Sequence, residues 1–356
     1  MAEKIFVGMS GGVDSSVTAL LLKQSGYDVT GVYMKNWTKD LPGFDCPWQE
    51  DFNDAKRVAT QLNIPFKVYD FETKYRSKVV DYMLEGYKSG LTPNPDIMCN
   101  QEIKFKLFLD LAISQGADKI ATGHYAKIVS KNSKNRLQMA KDKNKDQTYF
   151  LYRINPEALD KSLMPVGDYD KPDIRKLAAS SNLITANKKD SQGICFVGKV
   201  GIKDFLLAEL GPQEFGQVVD DKGLVVGEHD GAIFYTIGQR HGLSIGGGLP
   251  YYVYAKDMDK NIVYVTRDLD QESLWRKTIS LTSMHFLVEG IDEIKPSDNV
   301  MVRTRYRAPL VPVKSLKKTE NNLYLMETSE EIRAVTIGQS AVFYRDEVVL
   351  GGGIIC

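Results

Sequence analysis

Lys4-Ile5-Phe6-Val7-Gly8-Met9-Ser10-Gly11-Gly12-Val13-Asp14-Ser15-Ser16, continued by Val17-Thr18-Ala19-Leu20-Leu21-Leu22, is the stretch whose reading decides the fold. Apolar, β-favouring residues lead into a Ser-Gly-Gly turn, and the apolar run after it has helical character. A strand that breaks at glycines and opens a helix binds anions. The glycines let an oxyanion approach the backbone, and the helix start turns free N–H groups and its positive dipole end toward it. Ser10, Ser15 and Ser16 add hydroxyl donors. Asp14 is out of place beside a bare phosphate and is expected to accompany a Mg²⁺ ion there.

The commoner nucleotide loop G-x-x-x-x-G-K-[ST] is absent from the chain. Ser-Gly-Gly-x-Asp-Ser after a strand instead resembles the PP-loop of the ATP pyrophosphatases, which cleave ATP between its α and β phosphates. Downstream, Asp28–Lys35 has β character, 51–62 has the spacing of an amphipathic helix, Phe66–Asp70 reads as a strand and 75–87 as a helix. Strands alternating with helices predict a parallel α/β sheet, with ligands at the carboxyl ends of its strands, near Met34 as well as the glycine turn.

Leu91-Thr92-Pro93-Asn94-Pro95-Asp96-Ile97-Met98-Cys99-Asn100 cannot be regular across its two prolines and feeds a helix over 101–115. Cys99 is therefore expected near a helix N-terminus, where free N–H groups favour a thiolate; packing of Cys99 behind a capping Asp96 is the other reading. Lys119–Thr122 predicts a strand ending at Gly123-His124-Tyr125. Cys195 follows a Ser191-Gln192-Gly193 tip, and its local sequence leaves exposure and burial equally open. Beyond about residue 210 the helical periods give way to short strands between Asp/Gly/Asn turns, which predict small β modules. Among them, strands are expected at 300–306, 311–316, 323–327, 341–344 and 348–351.

With 356 residues, the chain has room for two or three domains. No apolar run is long enough for a membrane span or a secretory leader, so the expected address is the cytoplasm, with no membrane partner. The four cysteines, Cys46, Cys99, Cys195 and Cys356, include no C-x-x-C pair, which argues against a zinc finger and against a disulfide framework. Net charge is zero, with 46 basic and 46 acidic residues, so a nucleic-acid partner would have to use local patches. Two are present, at 127–145 and at 303–318, each readable also as a solvated loop or strand edge.

Taken together, GMSGGVDSS, MKNW, NPDIMCN, ATGHYA, KDQTYFLY, DSQGICF, TIGQRHGL, RYR and the late IGQ with AVFY resemble, in order and spacing, the tRNA-specific 2-thiouridylases of the MnmA family. The resemblance implies an α/β parallel-sheet PP-loop ATP pyrophosphatase domain at 1–207, a small β-rich central domain at 208–275 and a tRNA-contacting C-terminal β-barrel at 276–356. It implies an enzyme, a tRNA-uridine 2-sulfurtransferase that replaces the 2-oxygen of a wobble uridine in an anticodon stem-loop with sulfur.

ATP with Mg²⁺ would be used, at Gly8, Met9, Ser10, Gly11, Gly12, Val13, Asp14, Ser15, Met34 and Gly123. Asn94, Pro95 and Asp96 would hold the target base. His124, Lys145, Asp146, Gln147, Arg305, Tyr306 and Gln339 would contact tRNA. Cys99 would be the nucleophile and Cys195 the persulfide carrier, loaded by a sulfur-relay or cysteine-desulfurase donor protein, with Asp96 a base or an orienting group. Cys46 and Cys356 match no catalytic position, and no metal ligand is assigned. An iron–sulfur cluster on Cys99, Cys195 and Cys46 is the less favoured variant of the same reaction. The main rival is an ATP pyrophosphatase that transfers nitrogen to a small molecule, in which neither Cys99 nor Cys195 would have a role.

Overall fold

The computed structural model describes residues 2–41, 46–131, 133–190, 201–243, 245–246, 248–291 and 293–356. Cys195 and the 191–200 segment therefore lie outside the described residues. Strands β1 (Lys4–Gly8), β2 (Asp28–Lys35), β3 (Phe66–Asp70) and β4 (Lys119–Ala121) come first. A hairpin of β5 (Ala126–Lys131) and β6 (Lys134–Met139) follows, then β7 (Ser162–Leu163). The order β3-β2-β1-β4-β7 is parallel throughout.

Alternate residues of β1 serve opposite faces of this sheet. Ile5 and Val7 pack with Val17 and Leu20 of α1 (Val13–Gln24) and with Ala55 and Val58 of α2 (Trp48–Gln61). Phe6 joins Tyr75, Val79, Cys99, Ile103 and Phe108 on the other side. A strand covered on both faces has to be apolar at nearly every position, which is why it reads as a run. After β1 the chain builds outward on one side and returns to the other at β4. The order thus reverses between β1 and β4, the place where open α/β sheets of this kind take ligands at the carboxyl ends of their strands.

The central sheet comprises β8 (Gly216–Asp220), β9 (Val225–His229), β10 (Tyr252–Asp257) and β11 (Ile262–Thr266), in the order β10-β11-β8-β9. The helix Ile202–Leu210 leads into it and straddles the boundary expected at 207. The last six strands are β12 (Trp275–Phe286), β13 (Val300–Arg303), β14 (Val311–Lys318), β15 (Tyr324–Arg333), β16 (Ser340–Arg345) and β17 (Val348–Ile355). They run in the order β12-β15-β14-β13-β16-β17, and pairing of β12 with β17 closes them into a barrel around Leu281, Val302, Leu316, Met326 and Phe343. The parallel α/β sheet, the central β domain and the terminal barrel all agree with the sequence reading.

Several features differ from that reading. The strand expected at 300–306 stops at Arg303, so Arg305 and Tyr306 lie in the bend and turn that follow it. β12 is absent from the expected strands, and much of the basic stretch at 127–145 is the β5–β6 hairpin. This hairpin leaves the first domain and extends the barrel sheet through the pairing of Gln138 with Val348. Among the described residues no helix is long and apolar enough to cross a membrane.

Candidate active site

The glycine turn lies at the carboxyl end of β1. Gly8 packs against Met34 at the end of β2; a Cβ on it would lie 3.0 Å from the Met34 Cε. Gly123, just past β4, backs onto the start of α1, where a Cβ would come within 2.8 Å of the Ser15 nitrogen. Gly11 adopts φ +75° and faces the first turn of α2, its missing Cβ pointing at the Asp51 carbonyl. Gly12 is the N-cap of α1 and has no side chain with which to cap the first turn. Inside the turn the Ser10 amide donates to Ser15 Oγ (3.1 Å), and the Ser15 and Ser16 hydroxyls donate to the Gly12 carbonyl. The turn is braced from within and from both flanks, and the first amides of α1 lack intrahelical acceptors, as at any helix start.

Charged side chains ring this turn. Lys171 Nζ donates to both Asp14 oxygens (2.7 and 2.8 Å) and reaches Asp190 Oδ1 at 2.9 Å; the Tyr125 hydroxyl also donates to Asp14 (2.8 Å). Asp190 is bound in addition by Lys145 (2.7 Å) and Arg175 (2.6 Å). Burial works against its charge, but the bonds from Lys145 and Lys171 prevail and hold its pKa at about 2. On the other flank Lys188 bridges Asp51 (2.7 Å) and Asp54 (2.6 Å). The carboxylate expected beside Mg²⁺ thus has a lysine as its partner. Among the described residues no group of three His, Cys, Asp or Glu side chains could hold a metal ion.

Asn94 caps the helix that follows it, its Oδ1 accepting from the Asp96 and Ile97 amides (3.1 and 3.4 Å), and Pro95 occupies the first helical position. Helical backbone therefore starts at Pro95, earlier than expected. Cys99 sits one turn in, 1% exposed within the apolar core, and its own amide bonds to the Pro95 and Asp96 carbonyls. The free N–H groups expected to stabilise its thiolate are thus engaged. From Cys99 to Phe108 the helix has the wider π geometry, which recurs at functional sites.

The Cys99 helix runs beside the strand ends. Phe108 lies against Gly8, and Lys104 Nζ is 3.3 Å from His124 Nε2. An ammonium can only donate, so Nε2 accepts and Nδ1–H faces Thr122 Oγ1 at 2.8 Å. Burial, reinforced by Lys104, holds the His124 pKa well below the usual value, and the ring is neutral.

The other residues expected on tRNA gather where the first domain meets the barrel, and most have protein partners. Asp146 is buried, accepting from the Ala140 amide (3.0 Å) and Thr148 Oγ1 (2.8 Å), with Arg303 at 3.5 Å. Gln147 exchanges two hydrogen bonds with the Tyr125 backbone. Arg305 donates to the Ile237 carbonyl and Thr336, tying the barrel to the central domain. Gln339 donates to the Thr92 carbonyl (2.8 Å), beside Asn94. The Tyr306 ring packs against Phe150 at a tilt of 46°, centroids 4.5 Å apart, beneath the exposed Arg307. A narrow crevice runs between Asn94 and Met98 on one side and Gly338 and Ser340 on the other.

Cys46 is half-buried, burial pushing its thiol pKa up, and Cys356 is exposed. Lys171 and Lys188 escaped the sequence reading. Lys171 lies 157 residues from Asp14, and no local spacing marks such a pair.

Residues 3–199 match the family model described as tRNA methyl transferase HUP domain, 203–267 the tRNA methyl transferase PRC-barrel domain and 276–355 the Aminomethyltransferase beta-barrel domain. Curated relatives match along almost the whole chain. The tRNA-specific 2-thiouridylase MnmA of Oceanobacillus iheyensis is 46% identical over 354 residues, covering 99% of this chain and 94% of the relative. That of Bacillus licheniformis has the same identity and coverage. The Staphylococcus epidermidis protein is 43% identical over 355 residues, covering 99% of this chain and 95% of its own.

Proposed function

Because the chain belongs to the MnmA family of tRNA-specific 2-thiouridylases, we propose a division of labour among its residues for ATP-dependent 2-thiolation of tRNA. The uracil C2 oxygen is a poor leaving group and has to be activated first. It attacks the α-phosphorus of ATP while the uracil N3 proton passes to a base, Asp96 or water, forming an O-adenylated uridine and releasing pyrophosphate. The amides of Gly11 to Ser15 and the α1 dipole receive the charge that develops on the phosphates. Met34 and Gly123 border the nucleotide; Asn94, Pro95 and Asp96 hold the base. Mg²⁺ arrives as MgATP, carried by the phosphates, since Asp14 is already paired with Lys171.

Sulfur transfer is the second half. The terminal sulfur of a Cys195 persulfide attacks C2 and AMP departs. Once a local movement uncovers Cys99, which is buried here, its thiolate attacks the inner sulfur of Cys195, so the S–S bond to the transferred sulfur breaks and a Cys99–Cys195 disulfide forms. The transferred sulfur takes two electrons from the two thiols, and an external thiol reductant must reopen the disulfide. A cytoplasmic donor protein reloads Cys195. In this reading 1–207 carries the chemistry, 208–275 is the central domain and 276–356 is the tRNA-contacting barrel.

One observation carries the reading. The helix bearing Cys99 lies along the rim that carries the glycine turn, and Lys104, five residues on, touches the His124 that follows Gly123. Five helical residues span under about 8 Å. The test is thiolation of an unmodified anticodon stem-loop, scored separately for pyrophosphate release and for 2-thiouridine by mass. Cys99→Ser and Cys195→Ser are expected to release pyrophosphate and form no 2-thiouridine. Thiolation by either variant at the wild-type rate refutes the assignment of that thiol.

A further inference from the structure

Lys171 opens the helix Lys171–Ser180, a position usually in solvent, yet its side chain is only 9% exposed. A buried ammonium needs its donors filled, and here they go to Asp14 Oδ1, Asp14 Oδ2 and Asp190 Oδ1. Asp14 stands in the first turn of α1, whose amides form the anion seat. A carboxylate there suits the helix dipole while the seat is empty but repels a triphosphate once it fills. Neutralising that charge requires a cation on Asp14. Both carboxylate oxygens already have one, and a metal ion that took its place would leave a buried ammonium beside a divalent cation, with Asp190 alone to offset it.

We infer that Lys171 is a positioning residue for nucleotide binding: it neutralises and fixes Asp14 at the mouth of the glycine turn, in the place a divalent metal would otherwise hold. Asp14 is then a fixed element of the turn and not a metal ligand. Tyr125, donating to the same carboxylate, limits its rotation. Lys145 and Arg175 on Asp190 hold the far end of the bridge, so Lys171 stays in register without help from the ligand. The inference rests on the glycine turn being the ATP site.

The experiment is calorimetric titration of the full chain, without tRNA, with α,β-methylene-ATP, in the presence and absence of Mg²⁺. Lys171→Met is expected to weaken binding at least tenfold in both conditions, about 1.4 kcal/mol. Lys171→Arg should stay within about threefold of wild type. Asp14→Asn removes the repelling charge, so it should bind at least as tightly as wild type with or without the metal. The double variant Asp14→Asn/Lys171→Met should recover most of what Lys171→Met lost, a rescue that a merely structural lysine would not give. A double variant as weak as Lys171→Met overturns the inference and makes Lys171 a direct phosphate ligand. An Asp14→Asn variant weakened only toward the Mg²⁺-loaded analogue overturns it in favour of a metal on Asp14. Should Lys171→Met fail to fold, the Asp14→Asn arm decides alone. A wild-type chain that does not bind the analogue would instead refute the ATP site itself.

Discussion

Replacing Gly11 and Gly12 by alanine, one at a time, separates what the fold requires of the glycine turn from what a ligand requires. Gly11 has φ +75°, and a Cβ on it would lie 2.3 Å from the Asp51 carbonyl oxygen and 2.9 Å from the Asp51 Cα. Those atoms are backbone in the first turn of α2 and cannot rotate away. Left-handed backbone costs an alanine about 1–2 kcal/mol, and forcing a methyl into a packed contact costs about 1–3 kcal/mol more. Gly11→Ala should therefore lose about 2–5 kcal/mol.

Gly12 has φ −91° and ψ 165°, and its Cβ would meet only Ser10 Oγ, at 3.5 Å. Gly12→Ala should lose about 1 kcal/mol, the difference between glycine and alanine at an N-cap. Its methyl would stand on the open side of the turn, where the triphosphate is proposed to sit, so affinity for α,β-methylene-ATP should fall at least tenfold. Urea unfolding followed by tryptophan emission suits the first measurement, because Trp37 and Trp48 both lie in the first domain. A Gly11→Ala protein as stable as wild type refutes the packing argument. A Gly12→Ala protein that binds the analogue normally refutes the placement of the phosphates.

His124 stays neutral in the folded chain because burial, then Lys104, depresses its pKa. Below about pH 6.5 the unfolded chain takes up a proton that the folded one refuses, so stability is present above that pH and lost below it. The loss is about 1.4 kcal/mol per pH unit, and His124→Gln should remove that contribution from urea unfolding measured between pH 7 and 5.5; an unchanged slope counts against it. Arg305→Met should cost about 1 kcal/mol in thermal or urea unfolding, since it leaves the half-buried Ile237 carbonyl without its donor. Arg307→Ala should leave stability within about 0.5 kcal/mol. It should lower the salt dependence of tRNA binding by about 0.7–0.9 in log–log slope, whereas equal slopes would remove Arg307 from the RNA footprint.

The parallel sheet was legible because burial on both faces writes itself as apolar runs in β1 and β2, while β3, at the sheet edge with Val68 exposed, showed only through its aromatic and β-branched residues. The glycine turn was legible because only glycine tolerates the Gly11 conformation and the close approaches at Gly11 and Gly123. The Asn94-Pro95 start of the Cys99 helix was less so: two prolines suggested an irregular stretch, while the second one sits at the first helical position. Local spacing says nothing about pairs remote in sequence, such as Lys171 with Asp14 or Gln339 with Thr92, 247 residues apart. The β5–β6 hairpin was hidden for a related reason. Its strands are half solvated and lysine-rich, and what makes them a sheet is the barrel edge they join, more than 200 residues away.

A different junction, between Thr92 and the segment that opens β16, bears on how base and nucleotide meet. The Thr92 amide donates to the Ile337 carbonyl (2.9 Å), Gln339 donates back to the Thr92 carbonyl, and Gly338, at φ +92°, is bare of a side chain where the two segments touch. Tyr149 and Tyr152, buried and following directly on Lys145 to Gln147, bond to the Ser340 carbonyl and hydroxyl at 3.0 Å each. The segment proposed to hold the uracil is therefore positioned from the barrel side as much as from the sheet. A barrel that grips the anticodon arm can thereby align the base-binding turn with the glycine turn. Residues expected to touch RNA at this junction, Gln339 and Arg305 among them, already brace one domain against another, and their substitution should perturb adenylation as well as tRNA affinity. A pure RNA contact would change affinity alone.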